Sequence, residues 1–234
     1  RQVSMGLVGA LVVRPNPAQP SAVPGDDANQ TKGKAYDAQE QGYDDEAVLV
    51  YTDVDTRLAA NPLGFSMRSW APQYHLVNGQ AYPDTQSVVS DAGRTVMLRV
   101  VNGGILEKSP TLLGTRMTVV ARGSRPLPTA MEVSGRLMNT GDTFDGRVTL
   151  PAQADTRYAL FDTPGGLRNA NGINAASKNA PALGGALVFL QAGGVPNVAP
   201  SGPKVSTIAI TGQSTAGASF NVPFFTSNGR SVAA

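Results

Sequence analysis

The chain has 234 residues, a formal net charge of +2, 15% charged residues, 26 glycines, 17 prolines and no cysteine. That length buries one good core with material left for linkers or part of a second domain, and the glycine and proline content favours short strands joined by turns over long helices. The composition excludes a disulfide, a thiolate metal site and a cysteine nucleophile within these residues. No apolar run is long enough to cross a membrane, and scattered arginines and lysines without an aromatic stripe give no support to nucleic-acid binding.

In chain order, residues 1–15 (RQVSMGLVGALVVRP) read as a strand ending at Pro15, with Leu7–Val13 apolar enough for burial on both faces. Because strand pattern starts at once, without an initiator Met or a leader, the chain is expected to be an excised or processed segment of something longer. An apolar strand of this kind is costly to leave unpaired. Leu7–Val13 is therefore expected to pair with another chain of an assembly or with Val205–Thr211. Residues 14–45 hold four prolines and no apolar periodicity, and read as a linker.

Strand character resumes at Glu46–Asp53, then Tyr74–Val77, the turn Asn78-Gly79, and Tyr82–Val89. Next come two runs of clear period two. In the first, Val96, Leu98 and Val100 oppose Met97, Arg99 and Val101; in the second, Met117, Val119 and Ala121 oppose Thr118, Val120 and Arg122. Met131–Met138, the turn Asn139–Asp142, Thr143–Leu150, Tyr158–Phe161 and Gly185–Gln191 complete the set, with a polar surface loop over 163–184. Short strands at this spacing predict an all-β sandwich or barrel. Gly193–Lys204, with three prolines, reads as a second linker, and Val205–Thr211 starts another strand ahead of a polar end.

Several of these stretches resemble one family, the multicopper oxidases. Met5–Val13 resembles the strand that closes their first cupredoxin domain. Leu76-Val77-Asn78-Gly79 followed by Tyr82-Pro83-Asp84-Thr85 is similar to their "-NG--YPDT" segment. Asp91-Ala92-Gly93, Arg99-Val100-Val101-Asn102 and Met117–Ala121 are similar to the ladder that follows it. The resemblance covers about 1–15 and 46–192 and implies a cupredoxin-like Greek-key fold. It divides the chain into 1–15, closing strand of a preceding domain; 16–45, linker; 46–192, cupredoxin-like domain; 193–204, linker; and 205–234, strand and polar tail that would begin a further domain.

In that family, copper centres built from paired histidines and one cysteine oxidise a substrate and reduce oxygen to water. This chain has one histidine and no cysteine, and copper needs imidazole and thiolate for such sites. Where a copper domain would show a His-rich strand, Ser109–Arg116 reads SPTLLGTR. The resemblance thus implies a copper-free structural domain, with no catalytic, cofactor or metal residues of its own, within a protein that carries copper elsewhere. The parent reaction would be one-electron oxidation of a phenol or of a metal ion such as Mn(II). Its partners would be neighbouring cupredoxin domains of the same polypeptide or another chain of an assembly, in a secreted, periplasmic or extracellular setting. The alternative is a non-catalytic cupredoxin-like module of a surface or extracellular assembly.

Read by themselves, the candidate site residues point to structure. His75 stands alone and is expected to be packed or hydrogen-bonded. Met5, Met67, Met97, Met117, Met131 and Met138 lack clustered spacing and are expected to fill core gaps. Asp37, Glu40, Asp44, Asp45 and Glu46 lack the ligand spacing and glycine turn of a calcium loop and read as a solvated linker face. Gly184-Gly185 and Gly193-Gly194 precede no helix, so they make no phosphate loop. No Gly-x-Ser-x-Gly elbow is present to support hydrolase chemistry.

Overall fold

A computed structural model describes residues 1–13, 36, 42–169, 182–193, 224–225 and 231–232. The chain divides into two compact units, Arg1–Asn197 and Val198–Ala234. The first is a β-sandwich. Its larger sheet orders β2 (Tyr74–Val77), β1 (Asp45–Val54), β4 (Thr95–Asn102), β8 (Thr143–Thr149), β6 (Met117–Arg122) and β7 (Arg125–Val133). The smaller orders β3 (Val88–Ser90), β12 (Leu187–Ala192), β9 (Arg157–Asp162) and β5 (Pro110–Leu113). β1 runs parallel to β4 and β3 parallel to β12, while the other neighbours are antiparallel. A short pair, β10 (Arg168–Asn169) and β11 (Ala182–Leu183), lies within 163–184. In the second unit the described residues form one antiparallel pair, β13 (Phe224–Phe225) and β14 (Ser231–Val232).

Alternation explains the core. Leu49 and Tyr51 of β1, Val96, Leu98 and Val100 of β4, Phe144 and Val148 of β8, Leu160 of β9, and Val188 and Leu190 of β12 meet between the sheets. Burying each such side chain contributes roughly 1.5–3 kcal/mol. The period-two reading holds along β4 but not to the end of β6. A bulge between Val119 and Ala121 shifts the register there. Ala121 therefore leaves the core face and joins Val120, Met97 and Tyr43 in a small cluster outside it.

The Asn78-Gly79 turn forms as expected, with φ of 52° and 80°, and pairs Val77 with Gln80. Two successive positive φ values are what Asn-Gly tolerates best. The Asn78 side chain also accepts from Val50 N–H and donates to Val48 C=O, extending the ladder along β1 by one residue.

Several expected strands shift. Arg125–Val133, not Met131–Met138, pairs with β6; beyond it only Gly135 and Met138 make bridges. Within Tyr82–Val89, only the end is strand: Tyr82 makes a single bridge to Gly185, and Pro83 lacks a ladder donor. The N-terminal strand is not formed. Val3–Met5 is a 3₁₀ turn ended by Gly6 at φ +92°, and Leu7–Val13 has no strand partner among the described residues. Leu7, Leu11 and Val13 are exposed, whereas Val8 packs on Gly103. Its proposed partner Val205–Thr211 lies outside the described residues, as does most of 14–45.

Between β1 and β2 the chain makes the short helix α1 (Thr56–Ala60), which strand periodicity does not disclose. Asp55 caps it, accepting from Arg57 N–H, and also holds the Arg57 guanidinium, Ala71 N–H and the Gln73 amide. The Arg57 hydrogen bonds, aided by these other donors against the effect of burial, hold the Asp55 carboxyl well below the usual carboxylate range. A carboxyl with a depressed folded pKa contributes stability above its unfolded pKa of about 3.9 and loses it as pH falls through the folded value. Asp55→Ala is expected to cost about 1–2 kcal/mol at neutral pH. In urea unfolding the difference from the native chain should stay constant down to pH near 5, then shrink below about pH 4.

Candidate functional site

At one end of the sandwich the apolar core gives way to a buried charged cluster. Asp53 follows Leu49 and Tyr51 on the inner face of β1, and Asp162 follows Leu160 on the inner face of β9, so each sheet sends one carboxylate inward. Lys108 arrives from the segment between β4 and β5. Its Nζ lies 2.5 Å from Asp53 Oδ1 and 3.3 Å from Asp162 Oδ2. All three residues are 1% exposed. His75 stands directly across the ladder from Asp53, and its Nδ1 lies 2.7 Å from the same Oδ1. Lys108 Nζ is 3.4 Å from that nitrogen.

Backbone groups complete the cluster. Leu106 N–H approaches Asp53 Oδ2 at 3.3 Å, and Ser109 N–H donates to Asp162 Oδ1 at 2.8 Å. Asn102, fully buried at the end of β4, shapes the loop that supplies Leu106: its amide donates to Leu106 C=O and accepts from Gly104 N–H. Gly104 lies against Asp53 and Gly166 against Asp162 so closely that a Cβ at either would collide with the carboxylate. The glycines of Asn102-Gly103-Gly104 and Gly165-Gly166 thus let backbone seal the cluster from water.

Burial alone would raise the Asp53 carboxyl. The His75 hydrogen bond and then the Lys108 charge outweigh it and hold the group below the usual carboxylate range. Burial, and next the Asp162 charge, push the neighbouring Tyr51 phenol far upward.

A second charged cluster covers the outer face of the larger sheet. Arg99 pairs with Glu46 at 2.9 Å and Asp145 at 2.7 Å, and Tyr36 donates to Asp145 at 2.5 Å. Burial works against the Arg99 charge, but Asp145 and Glu46 outweigh it and raise its pKa. Tyr43, fully buried here, is pushed up to about 12 by burial and then by Glu46. The solvated-face reading of the acidic stretch is corrected for its described part. Asp44 accepts from Thr95 N–H, Asp45 begins β1, and Glu46 neutralises a buried arginine. Asp37 and Glu40 lie outside the described residues.

Of the methionines, Met97, Met117 and Met138 are buried, whereas Met5, Met67 and Met131 lie at the surface. Ser109–Arg116 contains β5, whose Leu112 enters the core. Gly185 and Gly193 take positive φ, Gly185 in a bridge to Tyr82 and Gly193 in a bend, and Gly194 lies outside the described residues. Among the described residues no group of three or more His, Cys, Asp or Glu side chains is placed to hold a metal ion. No helix among them is long and apolar enough to cross a membrane.

Sequence reasoning found His75 but not its partners. A signal was present in Asp53 and Asp162, each a charge at the inward position of an apolar run. Lys108, in the polar stretch Glu107-Lys108-Ser109, gave none.

No protein-family model matches the chain, and no curated protein matches it. Solved structures do. The blue copper oxidase of Nitrosomonas europaea matches with a TM-score of 0.54 at 16% identity, over 63% of this chain and 43% of that one. A multicopper oxidase designated mgLAC matches with a TM-score of 0.54 at 18% identity, over 64% and 44%. The chain spans less than half the length of either. The fold is therefore a cupredoxin-like β-sandwich, similar to domains of multicopper oxidases.

Truncating Lys108 would leave two buried carboxylates without their cation. Lys108→Met is expected to lower stability by about 3–5 kcal/mol, and adding Asp53→Asn and Asp162→Asn should restore part of it. Urea unfolding midpoints check this; a loss below about 1 kcal/mol for Lys108→Met would mean that the lysine is not the keystone of the cluster.

Proposed function

We propose that this chain is a structural cupredoxin-like domain of a multicopper oxidase-like protein, carrying no copper centre of its own. The observation that carries this reading is the conjunction of the fold with its donor inventory. The sandwich is similar to multicopper oxidase domains, yet the 234 residues hold one histidine and no cysteine. The residues do not fit a blue copper site, which needs thiolate and two imidazoles. The one imidazole directs Nδ1 into the Asp53–Lys108 cluster rather than toward a second ligand.

The work of such a domain is mechanical. It holds copper-bearing neighbours at a fixed separation, and a sandwich whose two sheets are tied by a buried ionic cluster is suited to that. The parent protein would oxidise a phenol or a metal ion such as Mn(II) one electron at a time and pass the electrons to oxygen. Its setting would be secreted or periplasmic.

Dialysis against copper followed by metal analysis and optical spectroscopy tests the reading. The chain should retain no stoichiometric copper and show no thiolate-to-copper absorption. One tightly held copper per chain would overturn it.

A further inference from the structure

The arrangement around Lys108 has the parts of a reaction centre as well as those of an ion pair. We propose that Lys108 and Asp53 join through an intramolecular amide bond, with Asp162 as the base and His75 as the acid that promote it. Four observations place the groups. The lysine Nζ is 2.5 Å from Asp53 Oδ1, and a second carboxylate, Asp162, sits 3.3 Å from the same Nζ. His75 Nδ1 lies 2.7 Å from Asp53 Oδ1. Leu106 N–H faces the other oxygen, Oδ2, at 3.3 Å. Asp53, Lys108 and Asp162 are each 1% exposed, with two glycine backbones laid over the carboxylates, and the His75 side chain is 13% exposed.

Each group has a role that its position allows. Asp162 takes a proton from the Lys108 ammonium, freeing the nitrogen lone pair. His75 delivers its Nδ1 proton to Oδ1, which opens Asp53 Cγ to attack. The lone pair attacks that carbon, and negative charge collects on Oδ2, where the Leu106 N–H meets it. His75 regains a proton from Nζ, 3.4 Å away, and Asp162 returns the proton it took, by way of Nζ, to Oδ1, which departs as water. The C–O bond breaks as the N–C bond forms, and the two protons lost by the ammonium are those the leaving oxygen gains. One water is released, no electron changes hands and no co-reactant is needed. Asp162 and His75 end as they began.

Exclusion of water favours the step in both directions that matter: it destabilises the charged pair relative to the neutral one, and it keeps bulk water from reversing the reaction. The bond would tie β1 of one sheet to the segment leading into β5 of the other. The chain has no cysteine with which to make any other side-chain staple. The inference stands on these residues alone and holds whether or not the parent protein carries copper.

Mass spectrometry of the full chain, purified and denatured, tests it. Dehydration at Asp145-Gly146 also removes one water, so peptide mapping decides. After trypsin, the native chain should yield the peptide 35–57 joined through Asp53 to the peptide 100–116, uncleaved at Lys108. Asp53→Ala should give these stretches unlinked, with normal cleavage after Lys108. Asp162→Asn keeps both bonding partners and should lose most of the linked species. Free 35–57 and free 100–108 throughout the native sample would overturn the proposal. Linked peptide undiminished in Asp162→Asn would overturn the role given to Asp162.

Discussion

One lysine side chain holds the two sheets of this domain in register. Lys108 reaches a carboxylate on the inner face of each, Asp53 from β1 and Asp162 from β9, in a place that water does not enter. Buried charge is expensive, and removing one member of such a set costs more than the set adds. The surroundings follow from that constraint. Asn102 folds the loop that brings Leu106 N–H to Asp53, Ser109 N–H satisfies Asp162, and Gly104 and Gly166 keep clear the space that the carboxylates fill. The motif residues Arg99, Asn102 and Asn78 have physical work of the same kind. Arg99 neutralises two carboxylates on the outer face, and Asn78 extends the ladder of β1.

The sandwich was largely legible in the sequence because alternation reports directly on which residues a sheet buries. β4, with Val96, Leu98 and Val100 inward, follows that rule throughout, and the Asn78-Gly79 turn carries its own conformational signature. What alternation cannot show is where it stops. The bulge after Val119 turns Ala121 outward without any change in composition. Val3–Val13 has strand composition but no strand partner among the described residues, and pairing depends on partners as much as on propensity.

The charged cluster was less legible, for a related reason. Asp53, His75, Lys108 and Asp162 are spread over more than a hundred residues, and only the closure of the sandwich brings them together. The acidic stretch ending at Glu46 looked like linker because its neighbours are polar. Yet Tyr43 beside it is fully buried against the outer face, with Met97, Val120 and Ala121. A structural role for this domain accommodates all of these features, since each fixes one sheet relative to the other or to the segment that covers it.

The claim that the lysine cluster couples the sheets is tested most directly by native-state hydrogen exchange on the full chain. The amide of Asp162, bonded to Ala186 C=O at 3.1 Å, reports on the smaller sheet, and those of β1 report on the larger. If the sheets are locked together, both should exchange with one common opening free energy, that of global unfolding. Exchange of the β9 amides through a cheaper opening that leaves β1 protected would contradict the account.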